Sequence, residues 1–191
     1  WIGRFYDSFD LEKAFQTPDK FELDVNKRSK ALSKGYQSIV KLTAALALNV
    51  PYVIFDEPVL GLDANHRELF YDLLLKNFED NEQTIIIATH LIEEVANIIE
   101  EVVLIDRGKL LLQESVDSLL ERGYCISGLA EEVDSYCKDK NVIGNDELGG
   151  LKLSYVIGEK TELPQGSHLQ ITGMNLQKLF IKLTEKGGEE R

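Results

Sequence analysis

Two short apolar runs in this chain end in groups that hold cations and move protons. "YVIFDEP" closes on Asp56 and Glu57, and "TIIIATH" closes on Thr89 and His90. Adjacent carboxylates after a strand are candidates for catalysis, because a positioned carboxylate can take a proton from a reacting group. Between the two runs, "GLD" sets Asp63 at the head of an amphipathic stretch. Upstream, "KALSKGYQSIVKL" puts Ser33, Lys34 and Gly35 directly before a long apolar run. Ser33 reads as a helix cap. A helix starting at about Gly35 would present unpaired N–H groups and a positive dipole end to an anion. Singly, each motif has a plain structural reading. A lone histidine at a strand end is more often structural than catalytic, "GLD" is usually a turn, and "LSKGYQ" is usually a capped helix. Their order along the chain is the stronger signal.

The elements that must position these residues follow from hydrophobic periodicity. Residues 1–24 read as short helices broken near Pro18, with Asp10 capping "LEKAF". "NKRSK" is a basic loop. Gln37 to Leu48 carries apolar residues at helical spacing and is stopped by Pro51. Tyr52 to Phe55 is continuously apolar, which suits a central strand covered on both faces. "ANHRELFYDLLLKNFED" is an amphipathic helix, "TIIIATH" a second fully apolar strand ending at a polar tip, and "LIEEVANII" a helix. "VVLIDRGKLLLQES" is a hairpin turning at Asp106 to Lys109, and Ser115 caps the short helix "VDSLLERG". Strands alternating with helices predict an α/β domain with a mostly parallel sheet, in which ligands gather at the carboxyl ends of strands. Asp56-Glu57 and Thr89-His90 stand at such ends. Glycines thicken beyond Tyr124. There "LKLSYVI" and "SHLQIT" read as strands, and "LAEEVDSYCKDK" and "NLQKLFIKLTEKG" as helices of a small α+β appendage.

Composition narrows the function classes. The 191 residues suffice for one domain and a small appendage, and 43% hydrophobic content predicts a packed core. A net charge of -12, from 33 acidic and 21 basic residues, speaks against nucleic-acid binding, which needs a basic face. Nucleotides stay open, since helix N-termini and Mg2+ can carry phosphate. Cys125 and Cys137 are too far apart for a C-x-x-C motif and read as reduced thiols of a cytosolic protein. His66, His90 and His168 show no zinc spacing. No apolar run is long enough to span a bilayer, and no export signal is evident. The sequence opens at Trp1, and its one methionine is Met174, so further sequence is expected ahead of it.

The series "LSKGYQ", helix, "YVIFDEP", "GLDAN", helix, "IIIATH" resembles the C-terminal half of an ABC transporter nucleotide-binding subunit, over about Arg4 to Gly123. "LSKGYQ" is similar to the signature motif, "YVIFDEP" to the Walker B strand, "GLDAN" to the D-loop and "IIIATH" to the H-loop strand. "FYDSFD…FELD…KALSKGYQ" is most similar to bacterial export-type subunits related to antibiotic-resistance and lantibiotic-immunity ATPases. The resemblance implies an ABC ATPase fold of the P-loop NTPase class. Residues 1–34 would be a remnant of the helical subdomain, 35–123 the ATPase core, and 124–191 the appendage. It implies ATP and Mg2+ as cofactors, with Asp56 holding Mg2+ through water, Glu57 as general base and His90 touching the γ-phosphate. Ser33 and Gly35, with Lys34 beside them, would cap the γ-phosphate of a nucleotide held by another subunit, and Asp63 would bond across to that subunit. Partners would be membrane permease subunits and a second nucleotide-binding subunit, with no nucleic acid, at the cytoplasmic face of the membrane.

Two departures stand out. Lys34 replaces the usual first glycine of the signature and Tyr36 the usual glutamine, for which Gln37 is the nearest substitute. No G-x-x-x-x-G-K-[ST] occurs in the 191 residues, since Gly108-Lys109 is followed by Leu110 and reads as the hairpin turn. The chain alone is therefore expected to be inactive. Two alternatives compete. One is an ATPase head of the DNA-repair or chromosome-maintenance class, against which no heptad run precedes Lys30. The other is a non-catalytic binding module of the same descent.

Overall fold

Asp10 opens the first helix of the computed structural model, which describes residues 2–81 and 83–189; Trp1 lies outside the described residues. The described chain divides into two compact units, Trp1–His90 and Leu91–Arg191.

In the first unit, the Asp10 carboxylate accepts from the Lys13 N–H at 2.9 Å and starts α1 (Leu11–Lys20). Pro18 does not break this helix, contrary to the sequence expectation. It lacks only the N–H that would reach back to Ala14, and Thr17 and Pro18 are buried together with Phe21 just beyond, so packing holds the last turn. Ser33 caps α2 (Lys34–Leu46) by accepting from the Tyr36 N–H at 3.3 Å. Ile39, Leu42 and Leu46, at three- and four-residue spacing, form its buried stripe.

Strand β1 (Tyr52–Asp56) pairs in parallel with β2 (Thr84–Ala88), and α3 (Ala64–Asp80) makes the crossover. The register sets Tyr52 opposite Thr84 and Asp56 opposite Ala88, so both carboxyl ends fall at one end of the sheet. The expectation of two covered faces is met on one face only. Phe55 is buried, with its ring edge-on to Phe70 of α3 at 5.5 Å, while Tyr52 and Ile54 on the alternate face are each 69% exposed. Among the described residues this sheet has two strands, and α3 packs on one side of it.

A buried polar network links loop and helices in this unit. Asn77 Nδ2 donates to Gln83 Oε1 at 2.9 Å, Gln83 Nε2 donates to the Leu48 carbonyl at 2.9 Å, and Lys13 Nζ donates to Asn77 Oδ1. Burial lowers the Lys13 pKa, only partly offset by Asp10 and Asp80.

The second unit begins with α4 (Ile92–Val95), one turn where the sequence predicted a helix to Ile99. Strands β3 (Glu101–Asp106) and β4 (Lys109–Ser115) form the predicted hairpin. Its turn residues Arg107 and Gly108 have φ of 47° and 75°, the pair of positive values that a tight two-residue hairpin turn requires. Ser115 caps α5 (Val116–Arg122).

There follow β5 (Gly123–Leu129), α6 (Ala130–Cys137), β6 (Val142–Leu148), β7 (Leu151–Ile157), β8 (Gln170–Gly173) and α7 (Leu176–Glu189). The four strands form one antiparallel sheet in the order β6-β7-β5-β8. Residues 123–128, where the composition changes, are thus extended backbone inside this sheet. One core holds Tyr124, Ile126 and Val156 against Val133 and Cys137 of α6. The other holds Cys125, Tyr155 and Ile157 with Leu119 and Leu179. Among the described residues no helix is long and apolar enough to cross a membrane.

Candidate functional site at the ends of the parallel strands

The first residue past β1 is Glu57, and its backbone φ is 45°, a left-handed value uncommon for a residue with a side chain. Three bonds from the neighbouring strand end hold it. Thr89 Oγ1 donates to Glu57 Oε2 at 2.9 Å, the His90 main-chain N–H donates to Oε1 at 3.0 Å, and His90 Nδ1 lies 2.7 Å from Oε1. The Glu57 N–H donates to the Ala88 carbonyl at 2.8 Å, which extends the parallel ladder by one rung and fixes the carboxylate's root. Burial acts to raise the Glu57 pKa. Hydrogen bonds from the His90 ring, the Thr89 hydroxyl and the His90 main chain outweigh it, so the carboxyl sits below the usual glutamate range. The group is therefore ionised at neutral pH. An ionised carboxylate can only accept, so Nδ1 carries a proton in this bond and Nε2 remains for another partner.

Asp56, opposite Ala88, is exposed beside this pair. No cluster of three or more His, Cys, Asp or Glu suited to a metal occurs among the described residues. That donor set does not fit an all-protein metal cage. It fits a hydrated Mg2+, which is held through one or two carboxylates, keeps several waters and takes further ligands from phosphate.

The signature-like segment stands at the start of α2. Ser33 and Lys34 are exposed, and Ser33 Oγ is engaged by the Tyr36 N–H. Gln37 is committed within the chain, its side-chain amide donating to the Leu32 carbonyl at 3.0 Å. Gly35 abuts the "GLD" turn, where Gly61 has φ of 83°. Asp63, at the end of that turn, caps α3. Its Oδ1 accepts from the His66 N–H at 3.0 Å, and its Oδ2 lies 2.6 Å from His66 Nδ1. These bonds to His66 hold the Asp63 carboxyl below the usual aspartate range. The His66 ring lies between Phe21, stacked at 5.9 Å, and Tyr36, edge-on at 5.9 Å, and so ties the turn to α2.

The structure thus brings Glu57 and His90 into contact, with Asp56 beside them, and joins the Ser33–Gln37 segment to the Asp63 turn through Gly35 and His66. Sequence reasoning gave no role to Thr89, Gly61 or His66. For Thr89 the available signal was its place one residue past a strand parallel to the one that ends at Glu57. For His66 it was the three-residue spacing from a capping aspartate.

Comparison with known proteins finds similar sequences among ATP-binding proteins. Over 111 residues the chain is 39% identical to the energy-coupling factor transporter ATP-binding protein EcfA2 of Mycoplasmoides gallisepticum, covering 58% of this chain and 32% of that protein. Over 112 residues it is 30% identical to the ABC transporter ATP-binding protein NatA of Bacillus subtilis, covering 59% of this chain and 44% of that protein. The likeness is to the ATP-binding proteins of ABC transporters. Among solved structures, an ATP-binding protein assigned to cobalt transport, cbiO-2, superposes with a TM-score of 0.50 at 18% identity, covering 81% of this chain and 56% of that one. The fold matches part of an ABC ATPase domain, with parallel and antiparallel sheets. No protein-family model matches the chain. It spans about a third to a half of the length of the curated relatives it matches.

Proposed function

We propose that this chain contributes the Walker B, D-loop, H-loop and signature parts of an ATP-hydrolysing subunit that drives an ABC transporter. The observation that carries the reading is the clamp on Glu57 by Thr89 and His90 at the shared carboxyl end of β1 and β2. A general base must be unprotonated and held within reach of the proton it takes, and the three hydrogen bonds on the Glu57 carboxylate support this reading.

In this reading Asp56 would hold Mg2+ through water, and the ion would supply charge neutralisation for the phosphates of the nucleotide. Glu57 takes the proton of the attacking water. His90 orients Glu57 through Nδ1 and offers Nε2 toward the γ-phosphate. Ser33, Lys34, Gly35 and Gln37 face a nucleotide held by a second nucleotide-binding subunit, with the helix dipole and exposed N–H groups as the anion site. Asp63 serves the same interface while capping α3. Membrane permease subunits supply the transport path, of the export type, and the protein sits peripherally at the cytoplasmic face. The functional division is residues 1–34, 35–123 and 124–191.

The P-loop's run of N–H groups and its lysine lie outside these 191 residues in this account. The chain alone should then neither hold ATP tightly nor hydrolyse it. A helix terminus contributes about 0.3–2 kcal/mol to anion binding, whereas a micromolar dissociation constant needs about 8 kcal/mol. Isothermal titration of the isolated chain with Mg-ATP tests this. The expected result is no saturable binding in the micromolar range, and saturable micromolar binding would mean that the phosphate site lies elsewhere.

A further inference from the structure

We propose that Thr89 is a positioning residue for Glu57, its hydroxyl fixing the plane of the carboxylate that acts on water. The proposal rests on the reading of Glu57 as the general base. The terminal torsion of a glutamate is soft and roughly two-fold, so a carboxylate held by one oxygen can still swing its second. Here the bonds divide unequally. Oε1 accepts from both the main chain and the ring of His90, at 3.0 and 2.7 Å, and Oε2 accepts from Thr89 Oγ1 at 2.9 Å. His90 therefore anchors one oxygen, and the Thr89 hydroxyl sets the rotation of the group about that anchor. The backbone adds to the constraint, because Glu57 is held at φ 45° with its N–H on the Ala88 carbonyl. The grip on the carboxylate comes from two consecutive residues of the opposite strand end, so the geometry of the parallel pair is transmitted directly to the reacting group.

The donor's identity follows from charge. A carboxylate only accepts, so the hydroxyl must donate. Valine has nearly the same shape and β-branching as threonine but no donor, while serine keeps the donor and loses a methyl. Misplacing a catalytic group lowers the rate of the chemical step more than it alters ground-state binding.

The test is steady-state ATP hydrolysis by the complete ATPase that contains this segment, in four forms besides wild type: Thr89→Val, Thr89→Ser, Glu57→Gln, and the Thr89→Val, Glu57→Gln double variant. Thr89→Val should lower kcat about ten- to a hundred-fold, the size of one hydrogen bond to a charged group. KM for ATP should stay within about two-fold, and Thr89→Ser should stay within about three-fold of wild-type kcat. In the double variant, valine should add no loss beyond that of Glu57→Gln, because the two residues act as one unit. Wild-type-like kcat for Thr89→Val, an equal loss for serine and valine, or fully additive losses would each overturn the proposal. If Glu57→Gln itself leaves hydrolysis within a few-fold of wild type, the base assignment falls and takes the role of Thr89 with it. If Glu57→Gln is inactive while Thr89→Val is not, only the role of Thr89 falls.

Discussion

A Cβ placed on Gly35 would lie 3.2 Å from the carbonyl oxygen of Gly61, so the start of α2 and the "GLD" turn meet backbone to backbone. Two effects oppose each other in Gly35→Ala. Alanine gains about 1 kcal/mol of helix propensity over glycine, and the close contact takes some of that back. The Gly61 turn is exposed and can shift by a few tenths of an ångström. We predict a melting temperature within about 3 °C of wild type, since about 1 kcal/mol moves the midpoint by several degrees at most. Amide chemical shifts of Gly61, Leu62 and Asp63 should nevertheless move. Unchanged shifts at these residues would mean that the two segments are not in contact.

Asp63 gives a pH-dependent test. Its carboxyl is held below the ordinary aspartate value by the His66 N–H and ring, so the unfolded chain binds its proton more readily than the folded one. The resulting stabilisation is fully present above the unfolded pKa of about 3.9. It is lost as pH falls through the depressed folded value. Asp63→Ala should therefore melt at a lower temperature than wild type at neutral pH, with Asp63→Asn closer to wild type because asparagine also caps helices. The gap between wild type and Asp63→Asn should narrow as the buffer is taken below about pH 4. A gap that widens on acidification would contradict the bond to His66.

The buried network at Asn77 predicts a large loss from a small truncation. Asn77 is 3% exposed and Gln83 is 7% exposed. Asn77→Ala strips partners from Gln83 Oε1, Lys13 Nζ and Asn81 Nδ2 at once. Each buried polar group left unpaired costs about 1–3 kcal/mol, and Lys13 and Asn81 can turn partly to water. We expect a net loss of about 2–4 kcal/mol in urea unfolding, with a loss under about 1 kcal/mol contradicting the network.

Packing at Gly123 in the second unit is tighter. A Cβ there would lie 2.9 Å from Leu179 Cδ1 and 3.0 Å from the Leu119 carbonyl oxygen, and the latter is backbone that cannot move cheaply. Gly123→Ala should destabilise by about 1–3 kcal/mol through overpacking. Gly173→Ala, where a Cβ meets nothing within 4 Å, is the control and should be neutral within about 0.5 kcal/mol. Equal effects at the two positions would count against the packing of α7 on β5.

Legibility in the sequence followed local chemistry. Asp10, Ser33 and Ser115 read as helix caps and are caps, because a side chain bonding to a backbone N–H three residues on is a short-range event, whereas the cap that Asp63 places on α3 is seen only in the structure. β1 and β2 were legible as continuous apolar runs. β5 and β6 were not. β5 carries a glycine near each of its ends, Gly123 and Gly128, and β6 reads "VIGNDEL" because it lies at the sheet edge, where polar side chains face water. Pro18 misled because burial of the last turn of α1 outweighs one missing hydrogen bond. At the candidate site, the residue types of Asp56, Glu57 and His90 could be read directly. The Thr89–Glu57 bond could not, since 32 residues separate the partners and only the parallel register brings them together.

The reading of this chain turns on Glu57, held against His90, as the base of an ATPase. The direct measurement is ATP binding and single-turnover hydrolysis by the complete ATPase containing this segment, comparing wild type with Glu57→Gln. The amide keeps the shape of the side chain but cannot take a proton from water. ATP affinity should stay within about three-fold of wild type and hydrolysis should slow by about two to four orders of magnitude, the usual cost of losing a general base. Hydrolysis by Glu57→Gln within a few-fold of wild type would contradict that reading.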